Sequence, residues 1–253
     1  MAKKFRIGKE ITFLPTCQST NSYAMNFALK GDINNGTVIV AEDQTAGRGQ
    51  RGNHWESEPG KNLTFSAAVQ LPFVHLSEQF YISMVVALSI YEVLEQYIPS
   101  DLLKLKWPND ILVGEQKICG ILIENVIRAG KIDWCVIGVG LNVNQMSFQL
   151  DRAISLGMCC GQLFDKREIL QLIVQSMSER FHNLAEGHQE KIKEAYLNAL
   201  YGYQQVHDFE EADGTRIKGR IIGVEDQGPL LVESALGQKS YQFKEIKFVA
   251  LDY

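Results

Sequence analysis

The spacing of apolar residues divides the chain into two textures. Over 77–98, Phe80, Met84, Ala87, Leu88, Tyr91, Leu94 and Ile98 recur at helical spacing, and Ile82, Val85 and Val86 fill the other side. This pattern predicts a helix covered on most faces and ended by Pro99. A stripe of Leu170, Val174, Met177, Phe181 and Leu184 predicts a second long helix over 166–186, and a third follows over 189–200. Near the start, 9–14 reads as a strand. Ser19, Thr20 and Asn21 are good helix N-caps ahead of Tyr23 and Phe27, so a helix is predicted to open there. Short apolar runs at 37–41, 62–71, 102–107, 111–113, 117–124 and 132–142 predict strands, with tight turns at 108–110 and 114–116. Beyond 203 the runs shorten and are broken by Asp213-Gly214, 226–229 and Leu236-Gly237, the pattern of a small all-β barrel. The chain is therefore divided into domains at 1–203 and 204–253.

Composition narrows the function classes. The 253 residues carry a formal net charge of −5 and 45% apolar side chains, so the bulk surface does not attract nucleic acid or acidic lipid, and any cationic function is local. The longest apolar run, 84–88, falls far short of the ~20 residues needed to span a bilayer. The N-terminal MAKKFRIGKE lacks the apolar core of a signal peptide, which points to a cytoplasmic protein without a membrane partner. Cysteines 17, 119, 135, 159 and 160 form no CxxC pair and read as free buried thiols. The histidines show no HxxxH spacing, which argues against a zinc site.

One segment does not fit a plain globular reading. Residues 43–61, DQTAGRGQRGNHWESEPGK, are too polar for core and too particular for a spacer. Gly47–Gly52 matches G-x-G-x-x-G after a strand, but 53–60 cannot open a helix, and the acidic residue expected ~20 positions on is missing, so the dinucleotide-binding reading fails. What the segment offers is a flexible loop with glycines for close backbone approach, the guanidiniums of Arg48 and Arg51 for an anion, and Trp55 for a flat ring. These features suit a nucleotide-like ligand with a negative centre. The other reading is a solvated loop whose arginines pair with Glu56 and Glu58 and whose Trp55 plugs the core.

Four further blocks accompany this loop. They are Ser19-Thr20-Asn21, KWPND at 106–110, KICGILIE at 117–124 and GVGLNVN at 138–144. In order and rough spacing over residues 9–145, the series resembles the biotin–protein ligases, in the monofunctional form without an N-terminal DNA-binding domain. The resemblance implies an α+β fold, with a large mixed sheet, packed helices and a small C-terminal SH3-like barrel. It also implies a two-step activity. Biotin and Mg-ATP give biotinyl-5′-AMP, and the biotinyl group then passes to a lysine of the biotin-carrier domain of a carboxylase.

Carried over residue by residue, Ser19, Thr20, Asn21 and Gln44 match the positions lining the biotin head. Arg48, Gly49 and Gln50 match the segment whose backbone meets the biotin carboxylate and phosphate. Arg51 is a further cation in that loop. Lys117 matches the lysine held near carboxylate and α-phosphate; Lys117, Arg48 and Arg51 form the catalytic set. Trp55 and Asn142 match residues beside the adenine. Asn109 and Asp110 match the turn facing the nucleotide, with Asp110 the candidate Mg²⁺ ligand. Gly138 and Gly140 let a strand pass close to ligand.

Gln50 stands where many bacterial members carry arginine, so retention of the adenylate falls to Arg48, Arg51, Lys117 and backbone N–H groups. The alternative on the same fold is a lipoate–protein ligase or octanoyltransferase. The glycine-rich segment of those families is absent. No DNA partner is expected, and monomer or homodimer stays open.

Overall fold

The computed structural model describes residues 5–149 and 152–251, with the side chain of Arg51 also outside the described set. The chain runs β1 (Ile11–Cys17), α1 (Thr20–Lys30), β2 (Thr37–Gln44), β3 (Leu63–Val69), α2 (Phe80–Leu94), β4 (Leu103–Lys106), β5 (Asp110–Val113), β6 (Gln116–Arg128) and β7 (Lys131–Leu141). It continues through α3 (Leu156–Cys160), α4 (Lys166–Ala185), α5 (Gln189–Ala199), β8 (Val206–Glu211), β9 (Arg216–Val224), β10 (Leu230–Ser234), β11 (Gly237–Tyr241) and β12 (Ile246–Phe248).

Strands β1 to β7 form one seven-stranded sheet in the order β1-β2-β3-β7-β6-β5-β4. The β1–β2 pair is parallel, because α1 forms the crossover between them, and every other neighbouring pair is antiparallel. The sheet is thus the mixed one expected.

Strand alternation assigns each face its job. On β7, Cys135, Ile137, Val139 and Leu141 enter the main core, shared with α2, α4 and α5. Trp134 and Val136 point the other way, into a small cluster with Ala24 and Ala28 of α1. Gly138 and Gly140 continue that second face beyond α1's apolar contacts. The same rule splits β3: Leu63, Phe65, Ala67 and Val69 belong to the main core, and Ala68 to the α1 cluster.

Helix α2 is buried nearly all round, as its unbroken apolar pattern predicts. It is shorter than the predicted 77–98. Residues 76–78 form a separate 3-10 turn, and the helix yields to turns after Leu94, ahead of Pro99. Its entry has no side-chain cap. Instead the Phe80 N–H donates to the carbonyl of Asp226, so a loop of the C-terminal sheet satisfies one of the helix's orphan donors. Helix α3 is absent from the sequence reading; its five residues are too few for periodicity to show.

The C-terminal strands form a five-stranded antiparallel sheet in the order β11-β10-β9-β8-β12, in keeping with the SH3-like unit expected. We place the division between the two architectures near residue 203, in the connection between α5 and β8. The division is not a gap in the core: Phe209, Ile221, Val232 and Phe248 join the same buried cluster as the large sheet. Polar ties across the junction include Phe80 N–H to Asp226 O, Trp107 Nε1 to Gly228 O at 2.8 Å, Lys193 Nζ to Asp226 Oδ1 at 2.7 Å and Arg152 Nη1 to Ala250 O at 2.6 Å.

Among the described residues no helix is long and apolar enough to cross a membrane. All five cysteines are free; Cys119 and Cys135 are fully buried, while Cys17, Cys159 and Cys160 are only partly so. Burial pushes the Cys119 and Cys135 thiols far up, and that of Cys159 to about 11. A thiol-exchange reagent applied to the native protein at pH 8 is therefore expected to modify Cys17, Cys159 and Cys160 before Cys119 and Cys135, which react only on unfolding. Site-resolved mass spectrometry checks the order, and early modification of Cys119 or Cys135 contradicts it.

Candidate active site

A cleft of about 960 Å³ opens between the second face of the large sheet and the C-terminal sheet. Its floor is the backbone of the central strands. Gly120 of β6 pairs with Gly140 of β7, and Ser66 of β3 pairs with Gly138. The absence of side chains at the three glycines lets other groups lie directly on the sheet. A Cβ on Gly140 would overlap the Trp55 indole, with Nε1 at 2.7 Å, and one on Gly120 would stand 3.0 Å from Trp55 Cζ3. A Cβ on Gly138 would overlap the Asn21 amide. The glycines at 138 and 140 are required by close approach, not by turn geometry.

The start of α1 builds one end of the cleft. Ser19 caps the helix, accepting from Ser22 N, and so turns Thr20 and Asn21 inward. Gln44, at the end of β2, accepts through Oε1 from the Thr20 backbone N–H at 2.8 Å and from its hydroxyl at 3.2 Å. Ser66 Oγ lies 2.7 Å from Thr20 Oγ1 and 2.6 Å from Asn21 Oδ1. Asn21 Nδ2 donates to Leu122 O at 3.1 Å and Glu124 Oε2 at 2.9 Å. This end is thus a buried polar network whose members fix one another's orientation. Sequence reasoning missed Ser66. Its signal was a pair of hydroxyls, Thr64 and Ser66, on the non-core face of the otherwise apolar strand LTFSAAV.

The loop Gly47–Trp55 is more ordered than its composition implies. Gly49 N–H donates to Asn53 O, Asn53 N–H to Gln50 O and Trp55 N–H to Gly47 O, closing a small hairpin around a 3-10 turn at Gln50–Gly52. No α-helix follows, in line with the rejected dinucleotide motif. Arg48 does not pair with Glu56 or Glu58. Its Nη2 lies 2.7 Å from Glu124 Oε1, and its Nη1 donates to Glu124 Oε2 at 3.3 Å and Ser22 Oγ at 3.2 Å. Trp55 lies in the cleft rather than in the core. Arg51 falls outside the described residues as regards its side chain.

At the other end, Lys117 Nζ lies 2.7 Å from Asp110 Oδ1 and 5.5 Å from the centre of the Trp55 ring. The side chains of Lys117 and Asp110 are 29% and 13% exposed, so Nζ is held at a partly shielded point beside the floor. Asn109 Nδ2 donates to Ile121 O at 2.8 Å while its own carbonyl accepts from Ile121 N–H, so this side chain also locks the turn. Asn142 is 3% exposed; its Nδ2 donates to Ile154 O at 3.1 Å, and its buried Oδ1 has no partner.

The second wall comes from residues 209–212 and 243–248 in the C-terminal unit, a contribution without any sequence motif of its own. Its carboxylates are matched internally. Glu211 takes Lys239 at 2.6 Å and the Tyr241 hydroxyl at 2.7 Å, which hold its carboxyl below the usual range, Lys239 foremost. Glu210 takes Lys247 at 3.1 Å. Among the described residues no three His, Cys, Asp or Glu side chains converge to cage a metal.

All the residues singled out in the sequence motifs line this one cleft, Arg51 aside. The sequence profile of the biotin/lipoate A/B protein ligase family matches residues 13–142, more than half of the chain and most of its large sheet. The chain belongs to that family. It is 28% identical over 248 residues to the bifunctional ligase/repressor BirA of Bacillus spizizenii, covering 95% of this chain and 74% of that one. It is 27% identical over 221 residues to the biotin–[acetyl-CoA-carboxylase] ligase of Mycobacterium tuberculosis, covering 85% and 80%. The biotin protein ligase from Aquifex aeolicus in complex with biotin and ATP superposes with a TM-score of 0.78 at 26% identity, over 95% of this chain and 98% of that one. The likeness extends past the family match into the C-terminal sheet, so the second wall is part of the shared architecture.

Overlap at Gly138 is directed at one side chain, which makes it testable without ligand. Gly138→Ala is expected to push Asn21 off its network and destabilise the protein by about 1–3 kcal/mol, the usual range for overpacking. Asn21→Ala combined with Gly138→Ala should recover most of the loss incurred by Gly138→Ala, since the conflict is with the Asn21 amide. Denaturant midpoints measure both, and a double variant less stable than either single one contradicts the geometry.

Proposed function

We propose that the protein is an ATP-dependent biotin–protein ligase, which activates biotin as biotinyl-5′-AMP and transfers it to a lysine of a biotin-carrier domain. The observation that carries the reading is one continuous floor with a buried polar network at one end and the Lys117–Asp110 pair beside Trp55 at the other.

The network favours biotin over lipoate or octanoate. A ureido ring offers two N–H donors and a carbonyl to Thr20, Asn21, Gln44 and Ser66. A dithiolane or an alkyl chain offers neither, and would leave those buried groups facing an apolar ligand. The biotin ligases to which this chain is similar match most of its length, in agreement with that chemistry.

In the first step an anionic carboxylate attacks an anionic α-phosphate, so the residues must offset repulsion that peaks during attack. Lys117 is the cation placed for this. Asp110 keeps its Nζ at a fixed point at the floor, and Trp55 gives the adenine a flat surface. The loop 47–55 shields the mixed anhydride from water until the carrier lysine attacks its acyl carbon and AMP leaves. Mg²⁺ arriving with the triphosphate would neutralise phosphate charge. Its preference for waters and phosphate oxygens with one or two carboxylates fits a site that offers Asp110 rather than a protein cage.

Incubation with biotin, Mg-ATP and a carrier domain should give avidin-reactive carrier, while lipoate should give no lipoylated carrier. Label from lipoate and none from biotin would reverse the assignment. In pyrophosphate–ATP exchange, Lys117→Ala is expected to lose about 10²–10³-fold in rate, the usual loss for removing one charge-stabilising group. Biotin affinity should change far less, because the interaction is strongest in the transition state. A Lys117→Ala rate within twofold of the parent would remove Lys117 from the mechanism.

A further inference from the structure

We infer that Glu124 is a positioning residue: it sets the loop Gly47–Trp55 over the cleft by holding the Arg48 side chain, so that Arg48 serves the ligand through its backbone rather than its charge. The inference rests on the biotin reading for its ligand, though not for the hold itself.

The contacts around Glu124 bring together the loop and the start of α1. Its Oε1 takes Arg48 Nη2 at 2.7 Å, and its Oε2 takes Arg48 Nη1 at 3.3 Å. The same Oε2 takes Asn21 Nδ2 at 2.9 Å. One carboxylate thus ties the loop to the polar network at the α1 end. Two-point pairing of a guanidinium with a carboxylate fixes orientation as well as distance, which a single contact does not. Ser22 Oγ supplies a third acceptor to the same guanidinium at 3.2 Å.

The hold reaches Trp55 through hydrogen bonds within the loop. These bonds, Gly49 to Asn53 and Trp55 to Gly47, link the residue that is gripped to the indole on the glycine floor. Glu124 reaches the cleft by alternation. Gly120, Leu122 and Glu124 share one face of β6, so the residue two beyond Leu122 emerges beside Asn21.

Charge bookkeeping leads to the same assignment. A lone carboxylate beside a site for anionic ligands would repel them, and Arg48 cancels it locally. The Arg48 and Glu124 side chains are 47% and 27% exposed, so the pair adds little to global stability. Its effect is on where the loop sits.

Glu124→Gln, Arg48→Gln and the double variant separate this role from a catalytic one. In ligand-free protein, hydrogen exchange at the Gly49, Asn53 and Trp55 amides should quicken at least about fivefold in each single variant, and no further in the double variant, since both changes release one coupled contact. The biotin KM should rise about tenfold in each, with kcat at saturating biotin within about threefold, because ligand binding must then order the loop. Unchanged exchange in both single variants would overturn the hold. A fall in kcat for Arg48→Gln with none for Glu124→Gln would show that the Arg48 charge acts on the reacting groups, which also overturns the proposal. If the parent binds no biotin, the ligand reading fails, while the exchange measurement still decides whether Glu124 holds the loop. Should Glu124→Gln not fold, Arg48→Gln reads the same contact from the loop side.

Discussion

The bare backbone at Gly138 and Gly140 is the constraint on which the site depends. Trp55 and Asn21 both lie where a Cβ would have to be. From Asn21 the dependence spreads to Ser66, Thr20 and Gln44 by hydrogen bonds, and to Glu124 and hence Arg48. The same strand carries Ile137, Val139 and Leu141 on its other face, packed into the main core. A period of two thus lets one strand supply a rigid wall and an open floor at once. Rigidity on one side is what makes the bare side precise, since a floor without side chains has nothing of its own to hold ligand groups in register.

Several charges of the cleft and its rim are paired. Lys117 faces Asp110, Arg48 faces Glu124, and the wall carboxylates Glu210 and Glu211 face Lys247 and Lys239. In a protein of net charge −5, such pairing keeps the site from repelling anions without building a strongly cationic surface. Polar satisfaction is less complete. Gln50 Oε1, Trp55 Nε1 and Asn142 Oδ1 are buried without partners, and all three belong to residues lining the cleft. An unpartnered buried polar atom carries a desolvation penalty, which a polar ligand can relieve.

The C-terminal sheet is seated by the turn at 226–228, whose carbonyls and carboxylate reach the start of α2, the indole of Trp107 and Lys193. Trp107 directly precedes the turn that carries Asn109 and Asp110. The placement of the second wall and of Asp110 is therefore referred to one junction, though the residues concerned are far apart in sequence.

What was legible in the sequence was local. The helix opening at Ser19–Asn21, the apolar runs of β3 and β7 and the apolar bulk of α2 follow from capping and local hydrophobic pattern, which act within a few residues. The motif blocks picked out most residues lining the cleft for the same reason. The end of α2 at Leu94 and the brief α3 escaped because fraying and a single turn leave no periodic trace. The remaining facts belong to the tertiary structure. The alternative reading of the loop paired its arginines with Glu56 and Glu58 nearby in sequence. Strand register instead delivers Glu124, 76 residues away, to the same side of the sheet as Asn21. Ser66 joins the network because β3 lies beside β7, and residues 209–212 become a wall because a separate sheet packs across the opening. Sequence by itself determined which residues are suited to touch a ligand, since that depends on side-chain chemistry and short-range conformation. Which of them touch one another was decided only when sheet order and register brought distant strands onto one face.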